Sequence, residues 1–304
     1  MSARQPLPPI DPHPSEDEDW AETSPGFGEF APGSGIRDVL AWIAALLLTL
    51  TLAAWLAAYS AAQATSEEAA LPALERAIVV LTGVDGLLDI HGAEIAGQVG
   101  EGNAVEVPGY PLDVQVPASE ASTPARLRSN LLARSAALLR AEGSGVFADP
   151  TGEPPLVSRL SSGGLMQAVI DGLSTARHDQ WAGYVSPLGG LSVLLAAFGL
   201  LLAVGVGRFV RLGAVAVAAA ALVIVPTVAL RVGVGFVGED DLIGIEAREI
   251  AQSLLGTGVR NALWLAAAGI AIVVPAALLD RVFLDSERPR LLRRRPRADA
   301  ATRE

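Results

Sequence analysis

Three histidines (His13, His91, His178) and no cysteine limit the chemistry open to this chain. Without Cys there are no disulfides, thiolate metal sites or sulfur nucleophiles. His91 and Glu94 are spaced i, i+3 and would share one face of a helix, which makes them a weak candidate metal pair. Asp89 is nearby and His178-Asp179 a distant source of further ligands. The same spacing describes a solvated polar face, the commoner use, so neither a metal nor any other cofactor is assigned. Acid–base catalysis needs two carboxylates in a cleft with a third partner. Asp85/Asp89 and Asp240/Asp241 are close in sequence but have no such context. Gly233-x-Gly235-x-x-Gly238 matches a dinucleotide fingerprint literally, yet it follows an apolar run rather than a strand and reads as an exit from the membrane. No catalytic signature of a hydrolase, kinase or zinc protease is present.

A second set of charged residues comes from a weak internal repeat. Sliding the chain by 155 residues superposes Arg76 on Arg231, Asp85 on Asp240, Ile90 on Ile245 and Glu94 on Glu249. If the two copies are duplicates, Arg76, Glu94, Arg231 and Glu249 form a structural polar cluster between two helical hairpins. Glu246 would then stand apart from it as an ordinary exposed acid.

The elements that must position these residues are mostly apolar. The 304 residues have a formal net charge of −11 and 51% hydrophobic content, and every cation is Arg. An uncharged run of about 18 residues or more is long enough to cross about 30 Å of hydrocarbon as a helix. Four runs qualify, at 39–62, 188–206, 212–230 and 262–279, with charges only at their edges. Ala62-Gln63-Ala64 resembles a signal-cleavage site, but the length of the run and the acidic segment before it favour a retained span. Arg208 and Arg211 lie in one short connection, and Arg281, Arg288 and Arg290 in the last segment. The 63–187 segment and the 231–261 loop are acidic. The positive-inside rule then places both termini in the cytoplasm of a bacterial inner-membrane protein.

Around the spans, 1–36 reads as a disordered, acidic, proline-rich tail. Residues 63–187 read as a small helix-rich α+β extracytoplasmic domain. Its apolar periodicity marks helices at 67–81 and 86–99 and a capped helix from Thr123-Pro124 to Gly143. Alternation at 104–107 and 112–116 about Pro108-Gly109-Tyr110-Pro111 predicts a β-hairpin. Residues 231–261 form a loop with an amphipathic helix, and 280–304 a basic tail. In that tail Arg293, Arg294, Arg295 and Arg297 lie within reach of anionic lipid.

The fold class expected is an all-α integral membrane protein with four transmembrane helices and that outer domain. Partners expected are the bilayer and a membrane protein, not nucleic acid. The spans carry no ionised residue, so a translocation pathway within this chain is not expected. The first functional reading is a non-enzymatic sensor, scaffold or accessory subunit whose outer domain binds a partner or ligand. An accessory or structural subunit of a transporter is the alternative, and a membrane-bound metal-dependent hydrolase using His91 the third.

Overall fold

The uncharged runs at 39–62, 212–230 and 262–279 each lie within one continuous helix, and 188–202 of the remaining run lies within another. The computed structural model describes residues 36–102, 104–147, 162–202, 207–236 and 241–292. Helices α1 (Ile36–Ala64), α6 (Thr175–Leu202), α7 (Gly207–Gly235) and α8 (Leu242–Leu292) are long and apolar enough to cross a membrane. The buried share of the apolar window in these helices runs only from 6% to 33%. Leu46, Leu50, Val193, Leu194, Leu201, Val225 and Leu278 face outward instead. So much exposed apolar surface fits lipid as the solvent and makes this a multi-pass membrane protein.

Helix α1 lies along α6 and α7 along α8, and α1 also touches α7 and α8. Small residues set the distances. Ala53, Leu56, Ala219, Ala220, Val223 and Ala262 form the bundle core. At the α7–α8 crossing, a Cβ on Gly213 would lie 2.6 Å from the carbonyl oxygen of Gly269, and one on Gly269 would lie 2.8 Å from that of Gly213. Two backbones approach so closely only where neither carries a side chain.

The segment between α1 and α6 folds as α2 (Glu67–Thr82), α3 (Val84–Gly100), α4 (Pro124–Glu142) and α5 (Ser162–Gly172). Gly83, at φ 57°, closes α2 and opens α3 in a left-handed conformation that suits glycine. Thr123 caps α4 by accepting from the Arg126 amide at 3.3 Å, and Pro124 occupies the first turn. Leu74, Ile78, Val84, Leu131, Leu139 and Ile170 fill the core. Three further members of that core, Ala247, Ile250 and Ala251, belong to α8.

This last fact changes the expected boundaries. The 231–261 stretch is not a loop followed by a separate span. Its amphipathic turns are the first part of α8, which runs unbroken into the fourth membrane helix. The 63–187 segment accordingly shares its core with α8 instead of closing on itself. Helix α6 starts at Thr175, ahead of the 188–206 run, and α7 extends on both sides of the 212–230 run to Gly235.

The β-hairpin is corrected as well, because no strand occurs among the described residues. Val105 and Val116 form one isolated antiparallel bridge, with amide-to-carbonyl distances of 2.7 and 3.0 Å. The alternation itself is real, since Val105, Val107, Leu112, Val114 and Val116 are buried. A ladder does not follow, for two reasons. Pro108 and Pro111 have no N–H to donate, and the backbone of Glu106 pairs with the Gln98 side-chain amide of α3 rather than with a strand. Val107 to Tyr110 closes as a turn with Pro108 second and Gly109 third at φ 76°, the pattern of type II. The tail at 1–36, but for Ile36, and the cations Arg293, Arg294, Arg295 and Arg297 lie outside the described residues.

Candidate functional site: a chamber between the domain and the bundle

Where the four-helix bundle meets the domain, α1, α5, α7 and α8 stand around a partly open cavity of about 570 Å³. That volume falls within the roughly 300–1,000 Å³ range of small-molecule sites. Helix α1 contributes Ala57 and Ser60, with Thr65 just past its end, α5 contributes Val169 and Gly172, α7 contributes Val223, Thr227 and Leu230, and α8 contributes Ala251, Leu254 and Gly258. The hydroxyls in this wall are engaged elsewhere. Thr227 donates to the carbonyl of Val223 at 2.7 Å and Thr65 to that of Ala61 at 2.8 Å. Ser60 accepts from Asn261 at 3.1 Å. What remains for an occupant is an apolar surface.

Two polar latches hold the walls. On one side Asn261 of α8 donates to Ser60 Oγ and, at 2.7 Å, to Gln63 Oε1. Gln63 in turn donates to the Tyr59 hydroxyl at 2.9 Å. On the other, His178 Nδ1 lies 3.1 Å from Thr65 Oγ1. The Thr65 hydroxyl also reaches the Ala61 carbonyl, and the direction of its bond with His178 follows the imidazole tautomer. Arg140 at the end of α4 donates to the Thr65 carbonyl at 3.1 Å, and Thr175 donates to the Arg140 carbonyl at 3.1 Å. The end of α1, the end of α4 and the start of α6 are thereby tied at one point. His178 is engaged there in a structural contact.

The charged residues singled out by sequence are distributed as follows. Arg76 on α2 reaches Glu246 at 2.6 Å and Glu249 at 3.0 Å, both on α8. Glu246 is thus the nearer partner, and its side chain is only 20% exposed against 65% for Glu249. Glu94 does not join them; it faces His91 across one helical turn at 3.4 Å. Arg231 has no acidic partner among the described residues. No group of three metal-ligating side chains occurs among them either, so His91 and Glu94 stand as a pair.

Other acids are committed to structure. Asp85 makes a two-pronged pair with Arg128 at 2.5 and 3.0 Å, and that hydrogen bond holds its carboxyl below the usual range. Asp241 caps α8, accepting from the amides of Ile243 and Gly244 and from the Ser162 hydroxyl. These bonds, the Ser162 one foremost, hold its carboxyl low too. Tyr110 is pushed up by burial and shares a 2.8 Å bond with Ser135. Sequence reasoning passed over the chamber because its walls are four helix faces far apart in the chain. The available signal was the small-residue series Ala57, Ala61 and Ala64 on α1. Compared with protein families, curated proteins and solved structures, the chain matches none.

Proposed function

We propose that this chain is a non-enzymatic membrane sensor or scaffold whose domain, on the outer face of a bacterial inner membrane, binds an apolar ligand. The termini then lie in the cytoplasm, as the arginine distribution favours. One observation carries the reading: α8 belongs to the domain core at Ala247 and Ile250, lines the chamber at Leu254 and Gly258, and enters the bundle core at Ala262. A ligand between these points touches both bodies along one helix, and its binding energy is shared between them. The mostly apolar wall favours a hydrocarbon-like group, with the Ser60, Thr65 and Thr227 hydroxyls its polar points.

The experiment uses palmitate bearing a photoactivatable diazirine at its chain end, added to membranes that contain the full chain. Mapped adducts should concentrate in 168–172 and 251–258, and Gly172→Leu should reduce them while leaving adducts at Leu191, Val193 and Leu194 unchanged. Gly172 lines the chamber and has open space around its Cβ position. Labelling confined to the outward-facing residues would overturn the reading.

A further inference from the structure

On the opposite end of the bundle, α1, α6 and α7 leave a narrow crevice floored by Ala44, Leu48, Ala196 and Gly199. Helix α6 keeps close to α1 and touches α7 much less. Its wall is apolar except at one end, where Arg208 and Arg211 stand. Both arginines are exposed, and neither pairs with an acid among the described residues. Arg208 lies over the ring of Phe209, its guanidinium carbon 4.9 Å from the centroid, so its stem is partly held. They sit three positions apart near the start of α7 and hence on neighbouring sides of one turn.

We infer that this crevice is a binding site for one anionic phospholipid of the surrounding bilayer. Its phosphate sits between Arg208 and Arg211, and the first methylenes of one acyl chain enter the crevice, about 40 Å³, against Ala44, Leu48, Ala196 and Gly199. The charge pattern selects the ligand. A guanidinium presents paired donors that match phosphate oxygens, and basic pockets between membrane helices are recurrent head-group sites. A zwitterionic lipid has the same chains, but its own cation offsets the phosphate. The crevice explains why the chain matters, since a soluble phosphate would gain nothing from its apolar floor. This site is separate from the domain-side chamber and stands or falls without it. The site does not include Arg293, Arg294, Arg295 or Arg297, which lie outside the described residues.

The full chain is purified and reconstituted in vesicles of 20% phosphatidylglycerol in phosphatidylcholine (about 20% is chosen to leave the bulk surface weakly charged). Lipid retained through detergent extraction is counted by native mass spectrometry. The four tail arginines are replaced by Gln in every sample, so only the crevice is read. The unaltered crevice should retain one phosphatidylglycerol. Arg208→Gln with Arg211→Gln should weaken retention about 30-fold, or about fivefold for each cation. Gly199→Leu leaves every charge in place and fills the floor, and should weaken it as well. Equal retention of phosphatidylcholine, or retention unchanged in the double variant, would overturn the site. Loss in the double variant with full retention in Gly199→Leu would overturn the seated chain.

Discussion

The Gly213–Gly269 crossing allows a substitution whose cost can be worked from distances. In Gly213→Ala the new methyl would lie 2.6 Å from the Gly269 carbonyl oxygen, 2.6 Å from Val273 Cγ2 and 3.1 Å from the Val273 nitrogen. Carbon atoms rest about 3.5–4.0 Å apart. Relief therefore requires α7 and α8 to part by about 1 Å along the seam. Backbone atoms of a helix cannot rotate out of the way as a long side chain can. A gap of that size forfeits a quarter to a half of each dispersion contact beside it, and overpacked substitutions cost about 1–3 kcal/mol. Helix propensity opposes the loss, since Ala exceeds Gly by about 1 kcal/mol in a helix interior. The expected net destabilisation is about 0–2 kcal/mol, read by equilibrium unfolding in mixed dodecylmaltoside–SDS micelles. Gly269→Ala meets the partner carbonyl at 2.8 Å and should cost slightly less. The double variant should cost less than the two losses added, because one separation relieves both. Gly199→Ala is the control: its Cβ would meet nothing within 4 Å, and the helix should be unchanged or more stable. If Gly213→Ala unfolds no more easily than Gly199→Ala, the argument from close backbone approach fails.

Glu246→Ala should destabilise the chain by about 1 kcal/mol and Glu249→Ala by less, because the first side chain is 20% exposed and the second 65%. Thermal melting in detergent ranks them, and the reverse order would show that burial does not set the strength of the Arg76 pairs. The Asp85–Arg128 pair predicts a pH dependence. The Arg128 hydrogen bond holds the Asp85 carboxyl below the usual carboxylate value of about 3.9, so its contribution is complete above that value and is lost as pH falls through the lowered folded value. With the Asp85 side chain 57% exposed the contribution is under about 1 kcal/mol. The stability difference between the unaltered chain and Arg128→Ala should therefore be present at neutral pH and shrink as the pH is lowered below the usual carboxylate range. A difference that widens on acidification contradicts the pairing.

The membrane helices were legible because their charges stop at sharp edges: Arg208 and Arg211 bracket one turn, and no ionised residue interrupts 212–230. The continuity of α8 was not, since Glu246, Arg248, Glu249 and Arg260 break the apolar count without breaking the helix. A helix needs unbroken N–H to carbonyl pairing, not uniform apolarity. No proline occurs between Leu242 and Ala262, and that absence was a signal to join the two segments. In the domain, alternation at 104–116 correctly separated buried from exposed side chains. It was silent on which partner takes the backbone bonds, and a glutamine side chain takes those of Glu106. The repeat brought Glu249 to attention but paired it with Glu94. The i, i+3 acids Glu246 and Glu249 share one arginine on α2 instead.

The length of α8 has a mechanical consequence. Leu242–Leu279 is 38 residues, or about 57 Å at 1.5 Å each, against about 30 Å of hydrocarbon. About 18 residues must therefore stand clear of the bilayer core, which places its edge near Arg260. That arginine is exposed, and Ala262, two residues on, is fully buried in the bundle. The part standing clear carries Ala247 and Ile250, each at most 1% exposed in the domain core. Removing Ile250 from its site costs about 2–5 kcal/mol, so the domain cannot swing away from α8 at small cost. Movement between domain and bundle must instead pass through bending of α8 around Gly256 and Gly258 or through release of the latches at Asn261 and His178. Both routes act on the walls of the chamber, and an occupant that holds them together resists either one.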